Sequence, residues 1–220
     1  MPITAVTARA VYIPLKKPTR ISTRVLSKRD FVIVTVRCSE SDAEGVGYSY
    51  LGTAGGRVAA AAVDDLLAPV LIGADTDDIQ GLWDRLFQET LLTGRRGVVI
   101  RALAAVDMAL WDLAAKRRGM PISVMLGGSV RPVPAYASGG YYRPDDGPWA
   151  EAVREEIRFN IAHGFTDHKI KVGGLPIAED ARRVAAAIEA MEGKGRLALD
   201  ANNAYRDFSH ALEAARAFEK

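Results

Sequence analysis

The sequence predicts two units in one chain: an α+β unit over residues 1–130, then the start of a parallel α/β sheet over 131–220. Three observations carry this reading. Strand-like runs fill the first fifty residues. A long helical stretch with a clear stop follows. After residue 130 the pattern alternates strand, helix, strand, helix, strand, helix, which is the signature of βα units.

The elements can be justified in order. "ITAVTARAVYIPL" and the β-branched run "FVIVTVRC" (31–38) read as strands, and "EGVGYSYL" (44–51) follows the polar turn "SESDA". Between the first two, "KKPTRISTRVLSKRD" is rich in Lys and Arg and is expected to form a long polar loop, solvated or acting as a lid for an anionic substrate. Residues 57–118 read as helical. Val99, Leu103, Val106, Leu110 and Leu113 make one apolar stripe, Asp112 and Lys116 are spaced for an ion pair, and Gly119 with Pro121 stops the helix. Beyond "LGGSVRPV", strands are expected at "VPAYASGG", "HKIKV" and "RLALD". The helices between and after them carry Trp149, Val153, Ile157 and Ile161, then Ile177, Ala181, Val184, Ile188 and Met191, then "FSHALEAARAFEK".

Composition narrows the function. With 49% hydrophobic and 25% charged residues, a 220-residue chain can bury a real core. The formal charge of +2 and the absence of a dense basic block argue against a nucleic-acid binder. A single cysteine, Cys38, excludes an internal disulfide and points to a reducing, cytoplasmic setting. The N-terminus does not read as a signal peptide, and no apolar run is long enough to span a bilayer, so no membrane partner is expected.

Active sites of parallel α/β folds lie at the carboxyl ends of the strands. The first strand end offers Tyr136 and Ser138, the second Lys169 and Lys171, and the third Asp200 with Asn202 and Asn203. Two lysines held together repel each other's charge, so one can fall towards neutral pH and act as a base. A carboxylate is a hard oxygen ligand suited to Mg²⁺, and a cation beside a lysine base fits removal of a proton next to a carboxylate. Simpler readings compete. A Lys-X-Lys strand is most often a wet face, Asp200 could be an ordinary turn aspartate, and Gly173 and Gly174 could lie near a phosphate. His163, His168 and His210 lack metal-ligand spacing, and His168 alternates away from the lysines.

The chain resembles the mandelate racemase/muconate lactonizing enzyme family of the enolase superfamily. The residues that carry the resemblance are "GVGYSYL", "IRALAAVDMALWDLAAKRRGMPISVMLGG", "VPAYASGG", "KIK" and "DANN". The resemblance implies an α+β capping domain followed by a modified TIM barrel, of which only about the first three βα units are present. It implies Lys171 as the base that abstracts the α-proton and Lys169 as its electrostatic neighbour. Asp200 becomes the first Mg²⁺ ligand, with Asn202 and Ser138 contacting substrate. The segments 16–29 and 48–56, with Arg20 and Tyr50, become specificity loops. The implied substrate is a small carboxylate, a 2-hydroxy acid to be racemised or an acid sugar to be dehydrated, and the implied assembly is a homo-oligomer. A cycloisomerase or dipeptide epimerase remains open, as does a non-catalytic scaffold or truncated homologue. The family's other metal ligands come from later strands, so the chain is expected to be part of a longer enzyme and inactive alone.

Overall fold

A computed structural model describes residues 1–39, 41–143 and 147–219; Glu40 of the "SESDA" turn and the last residue after the C-terminal helix lie outside them. The chain divides into two compact units: Met1–Pro14 with Lys28–Arg131, and Leu15–Ser27 with Pro132–Lys220.

β1 (Ile3–Arg20), β2 (Val25–Cys38) and β3 (Glu44–Tyr50) form a sheet in that order, lying in the first unit except for residues 15–20 of β1 and 25–27 of β2. β2 and β3 are antiparallel, with Phe31 opposite Tyr50 and Arg37 opposite Glu44. Alternation sends Val32, Val34, Val36 and Cys38 to one buried face. Helix α4 (Val98–Arg117) lies on β3, and two glycines permit the contact. A Cβ on Gly45 would lie 2.1 Å from the Ala109 carbonyl oxygen, and one on Gly47 would lie 2.0 Å from that of Ala105. Any side chain there would push the helix off the sheet. The expected stripe of α4 is buried at Leu103, Val106, Leu110 and Leu113 and is widened by Ala102, Ala105 and Ala109. Lys116 pairs with Asp112 at 2.7 Å, and Gly119, at φ 62°, ends the helix. Around this core run α1 (Gly56–Ala62), a wider turn at Val63–Leu67, α2 (Ala68–Leu71), α3 (Ile79–Glu89) capped by Asp78, and α5 (Ile122–Met125).

One expectation is corrected here. The polar stretch 16–30 is not a long loop but the end of a β-hairpin: β1 continues to Arg20, β2 begins at Val25, and Ile21 N–H donates to the Arg24 carbonyl across the turn. Its side chains need no core because β1 is an edge strand, which is also why Pro18 is tolerated there.

In the second unit, β4 (Tyr136–Gly139), β5 (Asp167–Lys171) and β6 (Leu197–Asp200) are parallel and adjacent in that order. They alternate with α6 (Trp149–Ala162), α7 (Ile177–Met191) and α8 (Phe208–Phe218). Ile170 of β5 joins Val153 and Ile157 of α6 and Val184, Ala187, Ala190 and Met191 of α7 in a second core. The α7 stripe is rotated from the expected one. Ile188 is 52% exposed, while Asp180 and Arg183 are inside at 1% each. Among the described residues no helix is long and apolar enough to cross a membrane.

Candidate active site

β5 decides which residues meet. Its alternation gives His168 and Ile170 to the core side and leaves Lys169 and Lys171 on the other. Register brings partners to the lysine face: Ser138 of β4 stands beside Lys169, and Asp200 of β6 stands beside Lys171. Both ammonium groups converge on one carboxylate oxygen. Lys171 Nζ is 2.7 Å from Asp200 Oδ2, and Lys169 Nζ is 3.6 Å from the same atom. Lys171 is nearly buried, its side chain 9% exposed, whereas Ser138 is exposed.

Electrostatics follow from this crowding. The hydrogen bond from Lys171 holds the Asp200 carboxyl below its usual value, partial burial opposes it, and the Asn202 N–H and the lysine charges add to the fall. Lys169, the neighbour in the pair, is shifted upwards. Burial works to lower its amine, but a hydrogen bond with Tyr136 and the charges of Tyr136 and Asp200 carry it above the ordinary value. Aromatic rings add to the enclosure: Lys169 Nζ lies 5.3 Å from the Tyr136 ring centre and Lys171 Nζ 5.8 Å from that of Tyr141.

Asp200 makes a turn contact and an ion pair at once. Its Oδ1 accepts from the Asn202 N–H at 3.0 Å, an ordinary turn contact, while its Oδ2 takes the lysines. Asn202 and Asn203 sit in the left-handed region, at φ 46° and 61°. The Asn202 side-chain Oδ1 is buried without a partner. Asp200 suits Mg²⁺ as a hard oxygen donor, and its charge is here balanced by ammonium groups. Among the described residues, no group of three or more His, Cys, Asp or Glu side chains comes together to hold a metal.

The glycine pair after Lys171 has no free amides for a phosphate. Gly173 N–H donates to Asp180 Oδ2 at 2.6 Å, and Gly174 N–H donates to the Tyr142 hydroxyl at 2.9 Å. Glycine is required by close approach: Cβ atoms there would meet Ala204 Cβ at 2.6 Å and the Tyr142 ring at 2.4 Å. Arg20, on the hairpin tip that belongs to this unit, donates to the Gly174 carbonyl at 2.9 Å and bridges backbone to backbone with Tyr142. Its charged head is engaged with the loop after β5. Tyr50 belongs to the first unit, its ring 5.4 Å from that of Phe31 and its carbonyl accepting from Arg101.

Sequence reasoning missed Tyr142, Asp180 and Arg183, all buried behind Lys171. A signal was present. Asp180 and Arg183 stand at inward positions of α7, four residues before Val184 and Ala187 respectively, where a helix with an ordinary core would carry apolar side chains.

A meander laid on a helix, joined to parallel strands whose carboxyl ends gather opposite charges, defines the α/β enzyme class that works at strand ends. The chain matches the family model described as mandelate racemase / muconate lactonizing enzyme, N-terminal domain, over residues 3–127, and that described as enolase C-terminal domain-like over 152–220. It is 39% identical over 158 residues to arabinonate dehydratase of Saccharolobus solfataricus, covering 72% of this chain and 42% of that protein. It is 37% identical over 207 residues to 3,6-anhydro-alpha-L-galactonate cycloisomerase of Streptomyces coelicolor, covering 93% and 55%. A crystal structure of a racemase from Streptomyces coelicolor with bound magnesium superposes with a TM-score of 0.89 at 32% identity, covering 99% of this chain and 59% of that one. The chain belongs to the mandelate racemase/muconate lactonizing enzyme family of the enolase superfamily. It spans about half the length of the curated relatives it matches, and its three parallel strands fit part of a barrel.

Proposed function

We propose that these residues form part of the active site of an enzyme that removes the proton α to a carboxylate and dehydrates an acid sugar. The observation that carries this reading is the convergence of Lys169 and Lys171 on Asp200 at adjacent strand ends. Lys171 takes the α-proton: it stands last on β5 and is the more enclosed amine. Lys169 and Ser138 face the carboxylate end of the substrate, and Asn202 the side nearer β6. Asp200 contributes one ligand to Mg²⁺, with further donors supplied from outside these 220 residues. The cation, when bound, stabilises the charge that develops on the substrate carboxylate as the proton leaves. Arg20 and Tyr50 belong to the segments that set specificity. In dehydration, the C–H electron pair at the α-carbon expels the neighbouring hydroxyl, which leaves as water after taking a proton, and the enol becomes the 2-keto acid.

The relatives that support dehydration also support a second reading, because the matched cycloisomerase acts on an anhydro sugar acid by its name. Product analysis separates them, since one route loses water and the other conserves the substrate formula. The test uses the enzyme with its complete barrel, Mg²⁺ and heavy water, against arabinonate, other acid sugars and 2-hydroxy acids. Lys171→Ala is expected to lower α-proton exchange by about 10²–10⁴-fold, and undiminished exchange would show that Lys171 is not the base. The 220 residues alone are expected to bind Mg²⁺ weakly in a calorimetric titration and to turn nothing over.

A further inference from the structure

The most enclosed charges of the second unit lie directly behind Lys171 rather than in the open site. Arg183 and Asp180 of α7 are each 1% exposed and pair at 2.7 Å. Tyr142, from the loop after β4, is fully buried and donates its hydroxyl to Asp180 at 2.9 Å. The Arg183 guanidinium lies 4.1 Å from the Tyr142 ring centre. An ion pair this deep is costly to desolvate, and good geometry with further hydrogen bonds is needed to offset that cost.

What it holds is backbone. Arg183 donates to the Lys171 carbonyl at 2.8 Å and to the Gly140 carbonyl at 2.6 Å. Asp180 accepts from Gly173 N–H, Tyr142 accepts from Gly174 N–H, and the Gly140 N–H is taken at 2.9 Å by Glu156 of α6. The peptides on the carboxyl side of Lys171, and the turn that follows Ser138, are thus fixed by one side-chain cluster. A guanidinium can do this because it presents several donors in a rigid fork, so one group can serve two carbonyls and a carboxylate.

We propose that Tyr142, Asp180 and Arg183 are positioning residues for Lys171: they lock the peptide after the lysine against the turn after β4, so that the amine is delivered to Asp200 and the substrate with little freedom. The proposal rests on the reading of Lys171 as the base. None of the three touches the reacting face, so their effect is on the rate of the proton transfer and not on substrate affinity.

The test is made on the full-length enzyme as wild type, Tyr142→Phe and Arg183→Lys, and its first readout needs no substrate. With isotope-labelled lysine nitrogens, the Lys171 ammonium gives its own magnetic resonance signal, assigned by its loss in Lys171→Ala. Both variants are expected to shift or broaden that signal while leaving the Lys116 signal in place. In Tyr142→Phe, which keeps the ring and removes only the hydroxyl, the Gly174 amide is expected to exchange with solvent about ten-fold faster or more. The second readout is turnover: kcat for α-proton exchange is expected to fall about 10–100-fold with KM within about two-fold. A Lys171 signal unmoved in both variants, or an unchanged kcat beside a deprotected Gly174 amide, overturns the proposal. A wild-type enzyme that exchanges no α-proton with any acid sinks the reading of Lys171 as base, and the lysine signal still decides whether the cluster positions it.

Discussion

The two sheets have the same number of strands and opposite uses. In the antiparallel sheet, β2 buries Val32, Val34, Val36 and Cys38 on one face, and its buried Asp30 accepts from the Gly56 N–H rather than from another side chain's charge. In the parallel sheet, β5 buries Ile170 on one face, holds Lys169 and Lys171 on the other, and leans on an ion pair at its end. The first sheet is held by hydrophobic area, which is non-directional and tolerant of small shifts. The second is held at its carboxyl end by hydrogen bonds and paired charges, which act only at defined distances. Rigidity of that kind suits a site that must place an amine, and it makes the second sheet the more sensitive to loss of a single atom.

Substitutions can break or sharpen this contrast. Asp180→Ala leaves Arg183 buried and unpaired and is expected to cost about 3–5 kcal/mol. Leu103→Ala in the α4 stripe removes buried apolar volume and is expected to cost about 2–5 kcal/mol. Denaturant unfolding checks both, and a nearly silent Asp180→Ala would show that the ion pair is replaceable by water. A smaller effect concerns His168, which is 1% exposed with both ring nitrogens unpartnered. Burial pushes its imidazole below the ordinary 6.5, against the weaker pull of Asp167. Below that ordinary value the unfolded chain binds the proton more readily than the folded one. Stability is therefore whole above about pH 6.5 and declines as pH falls towards the depressed folded value. Denaturant midpoints at about pH 7.5 and about pH 5 should differ more for wild type than for His168→Gln, and equal differences would refute the assignment. The smallest expected effect is Lys116→Ala in the first unit. Its pair with Asp112 is half-exposed, so a loss of under about 1 kcal/mol is expected, readable as a small midpoint shift.

Sequence pattern revealed what periodicity controls. The alternation of 31–38, the stripe of α4 and the shared face of Lys169 and Lys171 follow from periods of two and 3.6, and all are found as read. Asp200 was legible because it ends a strand beside that face. The hairpin tip was not, since edge strands pair through backbone and leave no apolar signature in residues such as Lys16, Lys17 and Thr19. Hydrophobicity points Ile188 inwards, whereas the inner arc of α7 is claimed by Asp180 and Arg183. Their burial depends on carbonyls at Gly140 and Lys171 that are far away in sequence, and no local window contains both partners.

The hairpin has a consequence for anyone who would cut this protein apart. Residues 15–27 belong with 132–220, although more than a hundred residues separate them. They supply Arg20, which bonds the Gly174 carbonyl and both backbone groups of Tyr142, and Ser22, whose hydroxyl donates to the Val172 carbonyl. A fragment severed at 131/132 would leave those four backbone groups without their partners, around the very loop that follows Lys171. Such a fragment is a half-finished piece that a synthetic peptide of residues 15–27, added in solution, has the right groups to complete.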